Sequence, residues 1–173
     1  HQLNAFTAHE LNQIKLLNTM ETIPSLQAVL DLVNQQVPLM IEIKSGLNRK
    51  EIVELFLEEV KNYRGPFCVV SFDPYILWEL KKQDKTVIRG QIVQDFMKDK
   101  TYSLIERIIL SYSLMNVITR PDFISYDYRS LNTGFYLYTF LKGFVSIWPI
   151  SSQESENNFQ KQANLIIFEH YLP

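Results

Sequence analysis

The chain has 173 residues, 46% hydrophobic and 13% aromatic, with a formal net charge of −2 at neutral pH. That is enough apolar material for one compact core, so residues 1–173 are expected to form a single domain. Lys and Arg never run beyond two neighbours, which excludes the basic stripe that neutralises nucleic-acid phosphates, so no nucleic-acid partner is expected.

In chain order, "SLQAVLDLVNQQ" (25–36) has helical spacing and precedes an apolar run, "VPLMIEIK" (37–44), that reads as a strand. A helix is expected over "RKEIVELFLEEVKNYR" (49–64), with Ile52, Phe56 and Val60 on one face. "FCVVSF" (67–72) is the next strand, and "PYILWELKKQ" (74–83) the next helix, opened by Asp73 as cap and Pro74 in the first turn. The strand "TVIRGQIV" (86–93) leads to a long helix near 101–118, with Ile105, Ile108, Ile109, Tyr112 and Met115 spaced for a core face. Its apolar window is broken by Glu106 and Arg107, so it is not a membrane span. The remaining alternation is "DFISYD" (122–127), "TGFYLYTFLK" (133–142), "FVSIW" (144–148), "SQESENNFQKQ" (152–162) and "NLIIF" (164–168).

Short apolar strands alternating with helices imply a parallel sheet covered on both faces, either doubly wound or a (β/α) barrel. No glycine-rich phosphate loop follows any strand, which weakens the nucleotide-binding versions. A TIM-type barrel takes eight βα units and about 250 residues. The six units expected here make an incomplete one.

The lone Cys68, flanked by apolar residues, reads as a small core residue. It excludes an intramolecular disulfide and a paired-cysteine metal site, and it leans towards a reducing, cytoplasmic location.

Both parallel architectures gather function at the carboxyl ends of their strands. The residues expected there are Glu42 and Lys44, Ser71 and Asp73, Arg89 and Gln91, Ser125 and Asp127, Trp148, and Glu169 with His170. Glu42 and Lys44 lie two apart and so share a face. Burying one charge alone is prohibitive, but a pair with further partners is tolerable. They read either as a structural ion pair or as a site in which Glu42 supplies oxygen to Mg²⁺ or Ca²⁺ and Lys44 neutralises an anion. Asp73 reads first as a helix cap and Trp148, before Pro149, as the rim of a pocket. His170 reads as a surface residue, and no Ser-His-Asp or Cys-His set can be assembled.

Taken as a series, "ETIPSLQAVLDLV", "VPLMIEIKS", "GPFCVVSFDP", "RPDFISYD", "VSIW" and "NLIIFEHYLP" resemble the glycerophosphodiester phosphodiesterase family, in order and at similar spacing, over residues 3–173. The resemblance implies a barrel holding the third to eighth strands of the family pattern. It also implies metal-dependent hydrolysis of a small-molecule glycerophosphodiester to glycerol 3-phosphate and an alcohol, with a histidine pair as acid and base. It makes Glu42 a divalent-metal ligand (Mg²⁺ or Ca²⁺), Lys44 the phosphate-stabilising cation and Trp148 a residue lining the substrate pocket; Ser71, at the end of its strand, is expected to bind substrate as well. The family's His-Arg, Glu-x-Asp and His-Asp motifs lie upstream of the residues matching Leu3–Val29 and are absent; His1 is not assigned to them. At the last strand, "FEHYLP" departs from the family's Thr-Asp-x-Pro pattern, with Glu169 as the acidic counterpart. The chain is therefore expected to be an N-terminally truncated domain with an incomplete site. The alternatives are a noncatalytic phosphodiester-binding or assembly module, or a barrel completed by a second chain, as a homo-oligomer through open sheet edges.

Overall fold

The computed structural model describes residues 5–17, 19–46 and 48–172. His1, left unassigned above, lies outside them. The chain divides into two compact units, His1–Leu39 with Leu55–Pro66, and Met40–Glu54 with Phe67–Pro173.

In the first unit, α1 (Ala8–Leu11) is a short helix without a counterpart in the sequence reading, followed by an antiparallel bridge between Lys15 and Thr22. The helix α2 (Leu26–Val33) starts where Ser25 Oγ accepts from Ala28 N–H, and it stops at Asn34, whose left-handed backbone lets its N–H cap Leu30 O. The helix is shorter than expected because Asn34 and Gln35 both take positive φ. Leu30, Phe56 and Val60 are buried.

The second unit holds the sheet. Its strands are β1 (Leu39–Glu42), β2 (Phe67–Ser71), β3 (Ile88–Val93), β4 (Phe123–Asp127), β5 (Phe144–Ile150) and β6 (Leu165–Phe168), hydrogen-bonded in the order β1-β2-β3-β4-β5-β6. Registers from β2 to β6 are all parallel. On β1, Leu39 N–H donates to Pro66 O at 3.0 Å and Ile43 N–H to Val70 O at 2.9 Å, so the pairing advances in the same sense. A doubly wound sheet reverses its strand order at a switch point. This sheet never does, so its topology is that of a TIM-type barrel with six of the eight strands.

Helices follow the strands: α3 (Arg49–Val60), α4 (Pro74–Gln83), α5 (Leu104–Ser111), α6 (Asn116–Thr119), α7 (Thr133–Phe140) and α8 (Gln153–Phe159). Local chemistry sets their starts. Asp73 caps α4, Asn132 caps α7, Ser152 caps α8, and Ser103 with Glu106 forms a reciprocal capping box on α5.

The expected single helix near 101–118 is a correction. Ser113 takes a φ of 53° between α5 and α6, and Leu114 N–H closes back on Ile109 O at 3.0 Å, which ends the helix without glycine. Its expected core face is also revised, because Ile105 is 70% exposed whereas Ile109 and Met115 turn inward. The apolar period was real, but no described element covers that face.

Two apolar layers sandwich the sheet. On one side, Val70, Ile92 and Phe123 pack with Cys68, Phe72 and Trp148. On the other, Ile124, Tyr126, Val145 and Ile147 pack against Phe135 of α7 and Phe159 of α8. Gly90 is in register with Phe123, and any Cβ at Gly90 would run into the Phe123 ring. The small residue makes room for the large one on the neighbouring strand. Among the described residues, no helix is long and apolar enough to cross a membrane.

Candidate active site

The side of the sheet that carries Val70 and Phe72 opens, at the strands' carboxyl ends, into a cavity of about 370 Å³. Met40, Glu42, Val70, Phe72, Trp148 and Glu169 are in its wall, with buried Ser125 among them. Strand alternation accounts for this set, since Met40 and Glu42, and Val70 and Phe72, are spaced by two and point the same way.

Lys44 stands just past β1, with Nζ 2.7 Å from Glu42 Oε1; its side chain is 77% exposed and that of Glu42 only 29%. The ammonium also lies 6.0 Å from the centre of the Phe72 ring. The approach to Glu42 lacks hydrogen-bond geometry, so the buried Oε1 receives no directed donor. The pair is therefore held by charge at close range rather than by a directed hydrogen bond, with the lysine side chain largely exposed. Trp148 is held by its indole N–H, which donates to Ser125 O at 3.1 Å, and its ring meets Phe72 edge-on at 5.7 Å and 83°.

Ser71 is placed elsewhere. Its parity is opposite to that of Val70 and Phe72, it is fully buried, and it is not in the cavity wall. Its hydroxyl donates to Ile43 O at 2.7 Å and accepts from Asp73 N–H at 3.1 Å. Both roles are taken by the backbone at the ends of β1 and β2, so Ser71 moves out of the substrate set and into the frame that positions Glu42 and Phe72.

Other strand-end expectations change too. Arg89 is the second residue of β3, at its amino end, and its guanidinium donates to Thr119 O at 3.0 Å and Arg120 O at 3.3 Å. Gln91 sits mid-strand with its amide donating to Ser71 O and Phe72 O, both at 3.1 Å. The strand ends at Val93, as the sequence reading had it, so Arg89 and Gln91 lie four and two residues short of its carboxyl end. Asp127 is at a carboxyl end but is engaged by Arg129, whose Nε and Nη2 donate to it at 2.9 and 2.8 Å, a pairing that holds the guanidinium above its ordinary pKa. Asp73 is the cap expected of it, and also accepts from Arg49 Nε at 2.6 Å. Glu169 reaches the cavity, whereas His170 is exposed. Cys68 is free and half-buried, and burial raises its thiol pKa.

Phe72 is the residue the sequence reading missed. Its signal was available, since a strand that packs Val70 inward must also turn Phe72 inward.

The donor set decides how far a cation fits. The Glu42 carboxylate is a suitable hard ligand, though its Oε1 already faces Lys44 Nζ at 2.7 Å, and Glu169 adds a second carboxylate to the same wall. Among the described residues no group of three or more His, Cys, Asp and Glu could hold a metal ion. The described residues therefore fit part of a divalent-cation site and not a whole one.

No family model matches the chain, and no curated protein matches it. Solved structures do. A glycerophosphodiester phosphodiesterase from Parabacteroides distasonis superposes with a TM-score of 0.69 at 16% identity, over 94% of this chain and 66% of that one. One from Thermotoga maritima gives 0.63 at 22% identity, over 94% and 65%. A phosphodiesterase from Oleispira antarctica, in complex with its product sn-glycerol-3-phosphate, gives 0.67 at 16%, over 85% and 57%. At these identities the likeness is one of fold. The chain spans less than two thirds of the length of each.

Proposed function

We propose that this chain is part of a glycerophosphodiester phosphodiesterase, whose reaction splits a small glycerophosphodiester into glycerol 3-phosphate and an alcohol. The observation that carries the reading is the open mouth of the sheet, where a half-buried carboxylate, an exposed ammonium and a Trp–Phe wall converge. The fold likeness and the motifs "IEIK" and "SFDP" point the same way.

Each residue has a part. Lys44 brings positive charge to the phosphate, and its single interaction with Glu42 leaves donors free for an anion. Trp148 and Phe72 present ring surface to the apolar portion of the substrate and exclude water from one side. Glu42 would hold a divalent cation, Mg²⁺ or Ca²⁺, together with ligands beyond those described; such a cation supplies electrophilic stabilisation of the phosphate oxygens. Among the described residues no histidine lines this cavity to serve in the acid–base pair, so the chain is proposed to bind the diester without turning it over alone. The single half-buried thiol accords with a cytoplasmic setting.

A second reading, a noncatalytic phosphodiester-binding module or a barrel completed by a second chain, is favoured by the want of a third metal ligand and by the outer edges of β1 and β6, which pair with no further strand, both among the described residues. Incubation of the purified chain with Mg²⁺ or Ca²⁺ and glycerophosphocholine, alone and in any longer form that its reading frame encodes, separates the two. Glycerol 3-phosphate released only by the longer chain supports the phosphodiesterase reading, and inactivity of both supports the module.

A further inference from the structure

A second cavity, of about 200 Å³, lies beside the mouth and shares Phe72 with it. Phe96, Tyr102, Ile109, Leu110 and Met115 complete its apolar wall. The rings form one continuous ladder of edge-on contacts: Trp148 to Phe72 at 5.7 Å, Phe72 to Phe96 at 6.2 Å, and Phe96 to Tyr102 at 5.7 Å. The ladder runs from the mouth into the second cavity.

The charges in that wall are already partnered. Arg49 Nε donates to Asp73 Oδ2 at 2.6 Å and its guanidinium lies 5.1 Å from the Tyr75 ring centre. Glu106 accepts from Ser103 N–H at 2.8 Å in the capping box of α5, bonds that hold its carboxyl below the ordinary range. Past Tyr102 the apolar character continues on exposed Leu104, Ile105 and Ile108. An apolar cavity of roughly 150 Å³ accommodates a benzene ring, so this one has room for a group of about six carbons.

Building on the phosphodiesterase reading, we infer that one arm of the bound diester is apolar, an alkyl or aryl group that enters the second cavity along the aromatic ladder. Substrates with a small charged alcohol, such as a choline ester, leave the cavity to water and forgo its contribution.

Calorimetric titration of the chain, with Mg²⁺ present, compares the hexyl and choline esters of glycerol 3-phosphate. The hexyl ester is expected to bind about tenfold more tightly, a modest return on burying several methylenes. Leu110→Trp, which fills the cavity, should lower its affinity to that of the choline ester. Tyr102→Ala, at the exposed rim, should reduce the preference several-fold and serves if the tryptophan variant fails to fold. Equal affinities for the two esters, or a preference that survives the variants, would overturn the inference and leave the phosphodiesterase reading standing. Absence of binding by either ester would overturn that reading, and the inference with it.

Discussion

Lys44 Nζ stands 2.7 Å from Glu42 Oε1 at an angle that forms no hydrogen bond, so the two charges attract without satisfying each other. This pair is exposed on the lysine side, where solvent screening leaves about 1 kcal/mol at most. Lys44→Ala should therefore shift the unfolding free energy by less than about 1 kcal/mol in a urea titration. The same change should weaken glycerol 3-phosphate binding by roughly tenfold or more, the worth of a charge-assisted contact. Equal binding by the variant and the parent chain would remove Lys44 from the site.

Ser71 gives the opposite pattern. Its hydroxyl bridges Ile43 O and Asp73 N–H while fully buried, so Ser71→Ala should destabilise the fold by about 1–3 kcal/mol through a buried amide and carbonyl left unpaired. Affinity for glycerol 3-phosphate, measured at a temperature where the variant is folded, should stay within about twofold of the parent, since the hydroxyl is not in the cavity wall. A stable variant with lost affinity would return Ser71 to the substrate set.

Gly90 and the Phe123 ring occupy one shared volume between β3 and β4. Gly90→Val should cost about 1–3 kcal/mol by overpacking and lower the thermal midpoint by several degrees. Adding Phe123→Leu should recover part of that loss, because contacting residues in a core are not additive. Additive penalties in the double variant would mean that the two side chains do not compete for space.

Tyr126 sets the alkaline limit. Burial, with a contribution from Tyr138, raises its phenol from 10.0 to about 12. The unfolded chain ionises first, so the stability attached to this group is complete below pH 10 and drains away as pH rises towards about 12. A two-unit difference corresponds to about 3 kcal/mol at the upper end. Tyr126→Phe should flatten the fall in unfolding free energy over that window; an unaltered slope would place the effect elsewhere.

Much of this was legible in the chain itself. Alternating strand and helix patterns specify parallel βα units, because apolar strand runs need cover on both faces. Asp73 before Pro74 and Ser103 before Glu106 marked helix starts, since those side chains bond the first free amides. The charge pattern also put Glu42 at the carboxyl end of β1, with Lys44 just past it. Local chemistry carries these features, and local chemistry is written in neighbouring residues.

Tertiary structure decided which of the strand-end polar groups are engaged elsewhere in the fold. Ser71, Gln91, Arg89 and Asp127 all looked available from strand position, yet each bonds a group at least two and as many as 31 residues away. Glu42 alone among the strand-end carboxylates keeps a buried oxygen with no donor. The aromatic ladder is the same kind of result, joining rings from β5, the end of β2 and the segment after β3, which no sequence period connects. Whether a polar atom is satisfied, or a ring has a neighbour, depends on distances across the sheet, and those exist only once the chain has folded.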